Sequence, residues 1–487
     1  MRKTLTLSLR SLASGRILAG LFILCKFIGL TLPSFAEIFS PRNGILGNCY
    51  RNDYIKVYPS PGPLFDVTSD TGMYLFIALI LLGAAAYTIG FYPKISGLLL
   101  CLLLAWFNER YSVFYFGWEP YISCLLFLSV FLPVNCRFSL FPDKEPADTP
   151  SLRFFTFLLL FQVGFLYFYN GISKNGAYWM DGNAVLLAAA ETDKTTAFTG
   201  LLFRYPAWAR LAAWAALAWE ILVLFFIFMP FRNVFFRYVS AAGIVLFHWG
   251  IALFTDVGLF KYVALVAAVI LLPEHFWQLP PVRRLRLPHL KKFNVPHLRL
   301  RLPQAVPLVF GAFLLSQMVF SNLAQTSRSK TDDRLGRLIR NAGLKKTVEK
   351  GWIVRKPYYS FFGQYWHLYS PDPPAETGFS TVEGTDVKDK RILLGNGRRL
   401  QTAGEISYQK KLLFAYLTLR GNNQKDEILS RCLVSREMNL FLANPINPRL
   451  KSVELVTYSY KPQNAAAVRI DHSDYERVVR QQVNLSY

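Results

Sequence analysis

Long unbroken apolar blocks set the architecture of this chain. Runs of about 17 to 25 apolar residues are long enough to cross a bilayer as helices. Nine such blocks stand near residues 15–35, 72–91, 94–108, 118–135, 152–173, 206–230, 234–255, 257–273 and 304–324. The third and eighth are short, and either a tilted or a partly re-entrant segment accommodates them. After about Ser327 the pattern changes to mixed charges with no further block of crossing length. There Lys451–Lys461 alternates and is rich in β-branched and aromatic residues, as a strand is, while Ser407–Leu419 and Lys425–Leu442 carry helical apolar spacing. The expected fold class is mainly α. A polytopic helical membrane domain of about nine spans covers residues 1–326, and residues 327–487 form an extracytoplasmic α+β domain, partly β-sandwich-like.

Composition agrees with this reading: the 487 residues are 53% hydrophobic and 16% aromatic. Lys and Arg number 54 against 31 Asp and Glu, a net +23. In a chain with many spans that excess marks cytoplasmic loops facing anionic headgroups, so it argues for a lipid partner and against nucleic acid. With a cytoplasmic N-terminus, the inner loops carry Lys94, then Arg137, Lys144 and Arg153, then Arg232 and Arg237, and last the basic linker 274–303. An odd number of spans then places the tail outside, in a bacterial plasma (inner) membrane. The first 36 residues imitate a secretory signal, with Arg2, Lys3 and Arg10 before an apolar run and a small-residue end. The length of that run and the presence of Lys26 favour a retained helix.

The linker repeats a short unit, Leu287–Lys291 and Val295–Arg299, each with an internal Pro-His pair. Its prolines forbid one continuous helix and its cations seek headgroups. His289 and His297 have no Cys or acid nearby to complete a metal site, so no metal centre is expected. The six cysteines show no Cys-x-x-Cys spacing. Cys49 and Cys432 are the two that clearly fall outside on this topology; either they bridge, or Cys432 is helix core four residues after Ile428.

The residues that could carry chemistry are ionisable groups at membrane depth, which are costly and are kept by pairing or by function. Lys174 closes the fifth block and runs into Gly176, Tyr178, Trp179 and Gly182, a sequence suited to a backbone lining a cavity. A desolvated lysine there can act as a base, whereas a lysine at a helix end can also simply snorkel to the interface. Glu220 and His248 lie midway along the sixth and seventh blocks, and a Glu–His hydrogen bond between helices would satisfy both. Asn108, Glu109 and Arg110 close the third block on the same side as Lys174, either as a helix terminus or as part of one cavity. No phosphate loop, Ser-His-Asp signature or H-E-x-x-H helix is present.

These motifs resemble a known family. Tyr169–Lys174 with Trp179 and Gly182, Asn108–Arg110 with Gly117 and Glu119, and His248 with Phe254 and Gly258–Phe260 are similar to the HTTM membrane domain, related to vitamin K-dependent gamma-carboxylase. Asn43–Leu46, Phe131–Pro133 with Phe138–Leu140, and Gln364–Pro371 extend the similarity along most of the chain. The resemblance implies an integral-membrane fold with an extracytoplasmic, partly β-structured tail. It further implies a lysine base, here Lys174, acting on vitamin K hydroquinone or another reduced quinone, and a secreted peptide as the carboxylated substrate. The chain departs from the family where Trp-Asn-Asn-His is expected: Trp106–Arg110 puts Glu109 or Arg110 in place of the histidine. Asn170 also replaces the small residue before the glycine. Both departures argue against vitamin K-dependent carboxylation itself while leaving the lysine in place.

Three functions are therefore expected in order. The first is a membrane enzyme using Lys174, helped by His248 and Glu220, with Asn108, Glu109, Arg110, Tyr178 and Trp179 binding a quinone-like or lipid-soluble ligand. The second is a non-catalytic assembly or peptide-maturation partner. The third, a transporter, has no internal repeat among its spans to support it.

Overall fold

The computed structural model describes residues 6–57, 62–189, 196–280, 305–328, 334–351, 373, 377–396, 424–444, 447–460 and 476–484. The linker repeat with His289 and His297, the helix expected at Ser407–Leu419 and the Gln364–Pro371 motif lie outside the described residues.

The first helix, α1 (Leu9–Lys26), is capped by the Ser8 hydroxyl, which accepts from the Ser11 N–H, and continues into a π-helical turn, Phe27–Thr31. Next come α2 (Asn48–Val57), α3 (Asp70–Ile89) and α4 (Pro93–Arg110). Gly90, at φ 76°, ends α3 in the left-handed conformation that lets α4 fold straight back beside it. Then α5 (Trp118–Ser129) leads to α6 (Pro150–Ser173), started by Pro150 in the first turn and by the Thr149 hydroxyl, which accepts from the Leu152 N–H. Three short helices follow, α7 (Ala177–Met180), α8 (Ala184–Ala189) and α9 (Thr199–Arg204). The bundle continues with α10 (Pro206–Ile227), α11 (Asn233–Phe254), α12 (Phe260–Leu271), α13 (Glu274–Gln278) and α14 (Ala305–Arg328).

Among the described residues, six helices have the length and composition to cross a membrane: Leu9–Thr31, α3, α6, α10, α11 and Ala305–Ser327. The other three expected spans are lesser elements. The helix α4 has 18 residues but carries Lys94, Glu109 and Arg110. Both α5 and α12 have 12 residues, short of the roughly 20 that a crossing needs. The six long helices make this a multi-pass integral membrane protein.

The tail begins with α15 (Arg334–Asn341) and α16 (Lys345–Gly351), which pack against α14. Four strands, β1 (Thr377–Asp386), β2 (Arg391–Asn396), β3 (Leu450–Tyr460) and β4 (Glu476–Asn484), form one antiparallel sheet ordered β2-β1-β3-β4. A single helix, α17 (Gln424–Leu442), packs on it, with Leu429 and Leu433 in the same apolar core as Val382, Leu450, Val453 and Leu455. Among the described residues, therefore, the tail is one sheet covered by one helix and shows no second sheet of a sandwich. The α17 face also meets α2: Cys432 is bridged to Cys49, Arg431 pairs with Asp53 at 2.5 Å, and Arg436 donates to the Asn43 carbonyl at 3.1 Å.

Candidate functional site

The stripe Tyr167, Asn170, Gly171 and Lys174 follows i, i+3, i+4 and i+7 spacing, which puts all four on one face of α6. That face meets α10 at unusually short range. A Cβ on Gly171 would stand 3.0 Å from Glu220 Cβ and 3.0 Å from Ile221 Cγ1, and one on Gly164 would stand 3.0 Å from Leu224 Cα. The two glycines, seven residues apart, let the helix backbones approach as small residues do in membranes. Lys174 is the cap residue of α6, so its side chain can turn toward α10.

The result is a closed charge cluster. Lys174 Nζ donates to both oxygens of Glu220, at 2.8 and 2.7 Å, and Asn170 Nδ2 donates to Glu220 Oε1 at 2.7 Å. Lys174 is 5% exposed and Glu220 2%. In so dry a setting each ion depends on the other, because desolvation of an unpaired charge costs several kcal/mol. The chain then reverses through α7, and the Trp179 ring lies over the amine with its centroid 4.5 Å from Nζ, a cation–π contact. Tyr178, half-buried, belongs to the adjoining apolar cluster of Trp179, Ala184 and Ala213.

The pairing expected between Glu220 and His248 is not formed. Glu220 takes Lys174, and His248 Nε2 lies 2.9 Å from the hydroxyl of Tyr167, two turns further down α6. Two inward groups on neighbouring helices each found a partner on α6, whose polar stripe lies between them. His248 also stacks on Phe260, at 4.9 Å between centroids, and Phe260 stacks on Tyr121, at 5.7 Å.

Asn108, Glu109 and Arg110 are all buried, but the Arg110 guanidinium serves another element. Its Nη1 donates to the carbonyls of Leu64 and Val67, at 2.5 and 2.6 Å, and so ties down the 3-10 turn Pro63–Asp66 rather than reaching Lys174. Sequence reasoning missed a second buried ion pair, between Lys26 and Glu119. Glu119 also accepts from Trp118 Nε1 at 3.1 Å, and Lys26 Nζ lies 5.2 Å from the centre of the Phe27 ring. The signal was present: both are charged residues flanked by membrane-depth aromatic sequence, the same criterion that singled out Lys174.

Residues 61–277 match the family model of the HTTM domain. Over that stretch the chain is similar to the HTTM domain. That is the family indicated by the motifs at Asn108–Arg110, Tyr169–Lys174 and His248. The matched stretch includes Lys174, Glu220, His248 and Glu119, while Lys26, α14 and the sheet lie outside it. No curated protein and no solved structure gives a significant match to the chain.

Proposed function

We propose that the Lys174–Glu220 pair is the reactive centre of a membrane enzyme that acts on a lipid-soluble, quinone-like ligand, with a secreted peptide as its second substrate. The observation that carries this reading is the pair itself: an amine and a carboxylate 2.7 Å apart, 5% and 2% exposed, at the end of a membrane helix under an aromatic ring. In water such a pair stays ionic; in a dry site the tautomer with a neutral amine and a neutral acid competes, because it removes two buried charges. Passing a proton from Nζ to Glu220 therefore makes Lys174 a free base without changing the net charge of the site. Asn170 keeps the carboxylate oriented during the transfer, and Tyr167 with His248 offers a further hydrogen-bonding pair two turns of α6 from Lys174.

The donor set fits a reduced quinone, whose ring would suit the aromatic side chains here and whose hydroxyl would suit a proton acceptor. Trp179 and Lys174 would hold it, with Lys174 placed to take a proton from its hydroxyl; the bound group would supply the oxidisable centre, and dioxygen as co-substrate would accept its electrons. The test uses a neutral double variant, Lys174→Met with Glu220→Gln, which leaves no unpaired charge behind. With expression and insertion matched to wild type, it should lose consumption of a reduced naphthoquinone by at least about a hundredfold, the scale expected for a positioned acid–base group. Full activity in Lys174→Ala would overturn the reading. A second reading, a non-catalytic assembly or maturation partner, draws on the close glycine-mediated packing of α6 on α10, which makes the pair a helix lock.

For topology we propose nine crossings, with the N-terminus cytoplasmic and the tail outside, at the plasma membrane. Between Cys49 and Cys432 lie five of the long helices, an odd number that would leave the two cysteines on opposite sides. Counting α4 as a crossing, and α5 and α12 together with the apolar residues that flank them in the blocks near 118–135 and 257–273, makes eight, and a bridge then joins two points on one, oxidising side.

A further inference from the structure

We propose that the cleft where α1 and α11 begin is a binding site for a phosphate-bearing anionic headgroup. The cleft has a volume of about 480 Å³ and is lined by Arg10, Arg137, Arg237, Asn233, Glu145 and Glu274 among others. That volume falls within the roughly 300–1,000 Å³ typical of small-ligand sites. Three guanidinium groups face two carboxylates, so the lining carries one formal positive charge in excess (3 − 2). Glu145 is paired with Arg137, and Glu274 with Arg10 at 3.7 Å and with the Ser8 hydroxyl at 2.5 Å. Those contacts hold two of the cationic walls in place. Arg237, one turn into α11, is only 2% exposed, so the third cation is set into the protein rather than left to solvent. Asn233 is fixed beside it by donating to the carbonyls of Ile227 and Met229, at 3.3 and 2.9 Å.

Guanidinium forks match phosphate oxygens in geometry as well as charge. The position fits the same ligand: the cleft lies at the ends of α1, α11 and α12, the level at which lipid headgroups sit around membrane helices. The chain leaving it continues the theme, because α13, which supplies Glu274, is followed by seven cations and no acid between Arg283 and Arg301. The proposal rests on the membrane placement and is independent of the chemistry at Lys174.

The experiment is native mass spectrometry of the delipidated full chain in detergent, titrated separately with phosphatidylglycerol, phosphatidylcholine and inorganic phosphate. One phosphatidylglycerol should be retained in preference to phosphatidylcholine. Both Arg237→Gln and Arg137→Gln should weaken retention about tenfold, as loss of a charge-assisted contact does. Arg137 is part-exposed, so its variant serves where Arg237→Gln fails to fold. Saturable binding of inorganic phosphate with the same arginine dependence, and no lipid preference, would assign the site to free phosphate while upholding its chemistry. Equal retention of both lipids without phosphate binding would overturn the proposal. So would retention unchanged in Arg137→Gln.

Discussion

At the scale of single residues, the contact that matters most is the one between Lys174 and Glu220. Removing one partner strands the other in a dry site, so Lys174→Met alone should lower stability by about 3 kcal/mol. Lys174→Met with Glu220→Leu should recover most of it, as thermal melts of the four proteins of the double-mutant cycle would show. Lys174 itself was legible in the sequence as a lysine running into Gly176 and Trp179. Its partner was not, because which of two inward groups on α10 and α11 meets α6 depends on the rotation of each helix about its axis. The stripe Tyr167, Asn170 and Lys174 was nevertheless written in helical spacing, and reading it would have supplied His248 with its true partner.

Among elements, the packing of α6 on α10 and the sheet give separate expectations. A side chain at Gly171 has to displace Glu220 or Ile221, so Gly171→Val should cost about 1–3 kcal/mol by overpacking. Gly250→Ala on α11, where nothing lies within 4 Å, should be nearly neutral in the same melt. In the sheet, Glu383 on β1 gathers Tyr458, Thr381 and Arg477 around its carboxylate, with the Tyr458 hydroxyl at 2.6 Å. Burial pushes this carboxyl up, but the three hydrogen bonds and the Arg477 charge outweigh it and hold it below the ordinary carboxylate range. A depressed folded value means stability that is present above the unfolded value, about 4.3, and is lost as pH falls through the folded one. Protection factors of the sheet amides in the full chain, corrected for the intrinsic exchange rate at each pH, should therefore fall on acidification below about pH 4, and Glu383→Gln should flatten that dependence. The strand at β3 and the helix α17 were readable because alternation and helical spacing are local signals. Sheet order and the single-sheet tail were not, because they depend on pairings between strands far apart in sequence.

For the whole molecule, the long spans were the most legible feature, since crossing length is itself the signal: the block near 206–230 is α10, and that near 234–255 is α11. The shorter blocks were ambiguous for the same reason, as α5 and α12 are too brief to announce a crossing. The bridge between Cys49 and Cys432 joins the start of the chain to its tail. Alkylation of the native, unreduced protein should leave both thiols unlabelled. In intact cells after reduction, a membrane-impermeant maleimide should reach both from the outer side, and labelling from opposite sides would refute the proposed topology. The central claim remains that a buried lysine–glutamate pair under Trp179 is a working acid–base couple. Its most direct test is consumption of a reduced naphthoquinone by wild type and by the Lys174→Met, Glu220→Gln double variant, reconstituted in equal amounts. The account expects turnover in the first and a loss of at least about a hundredfold in the second; equal turnover in the two would contradict it.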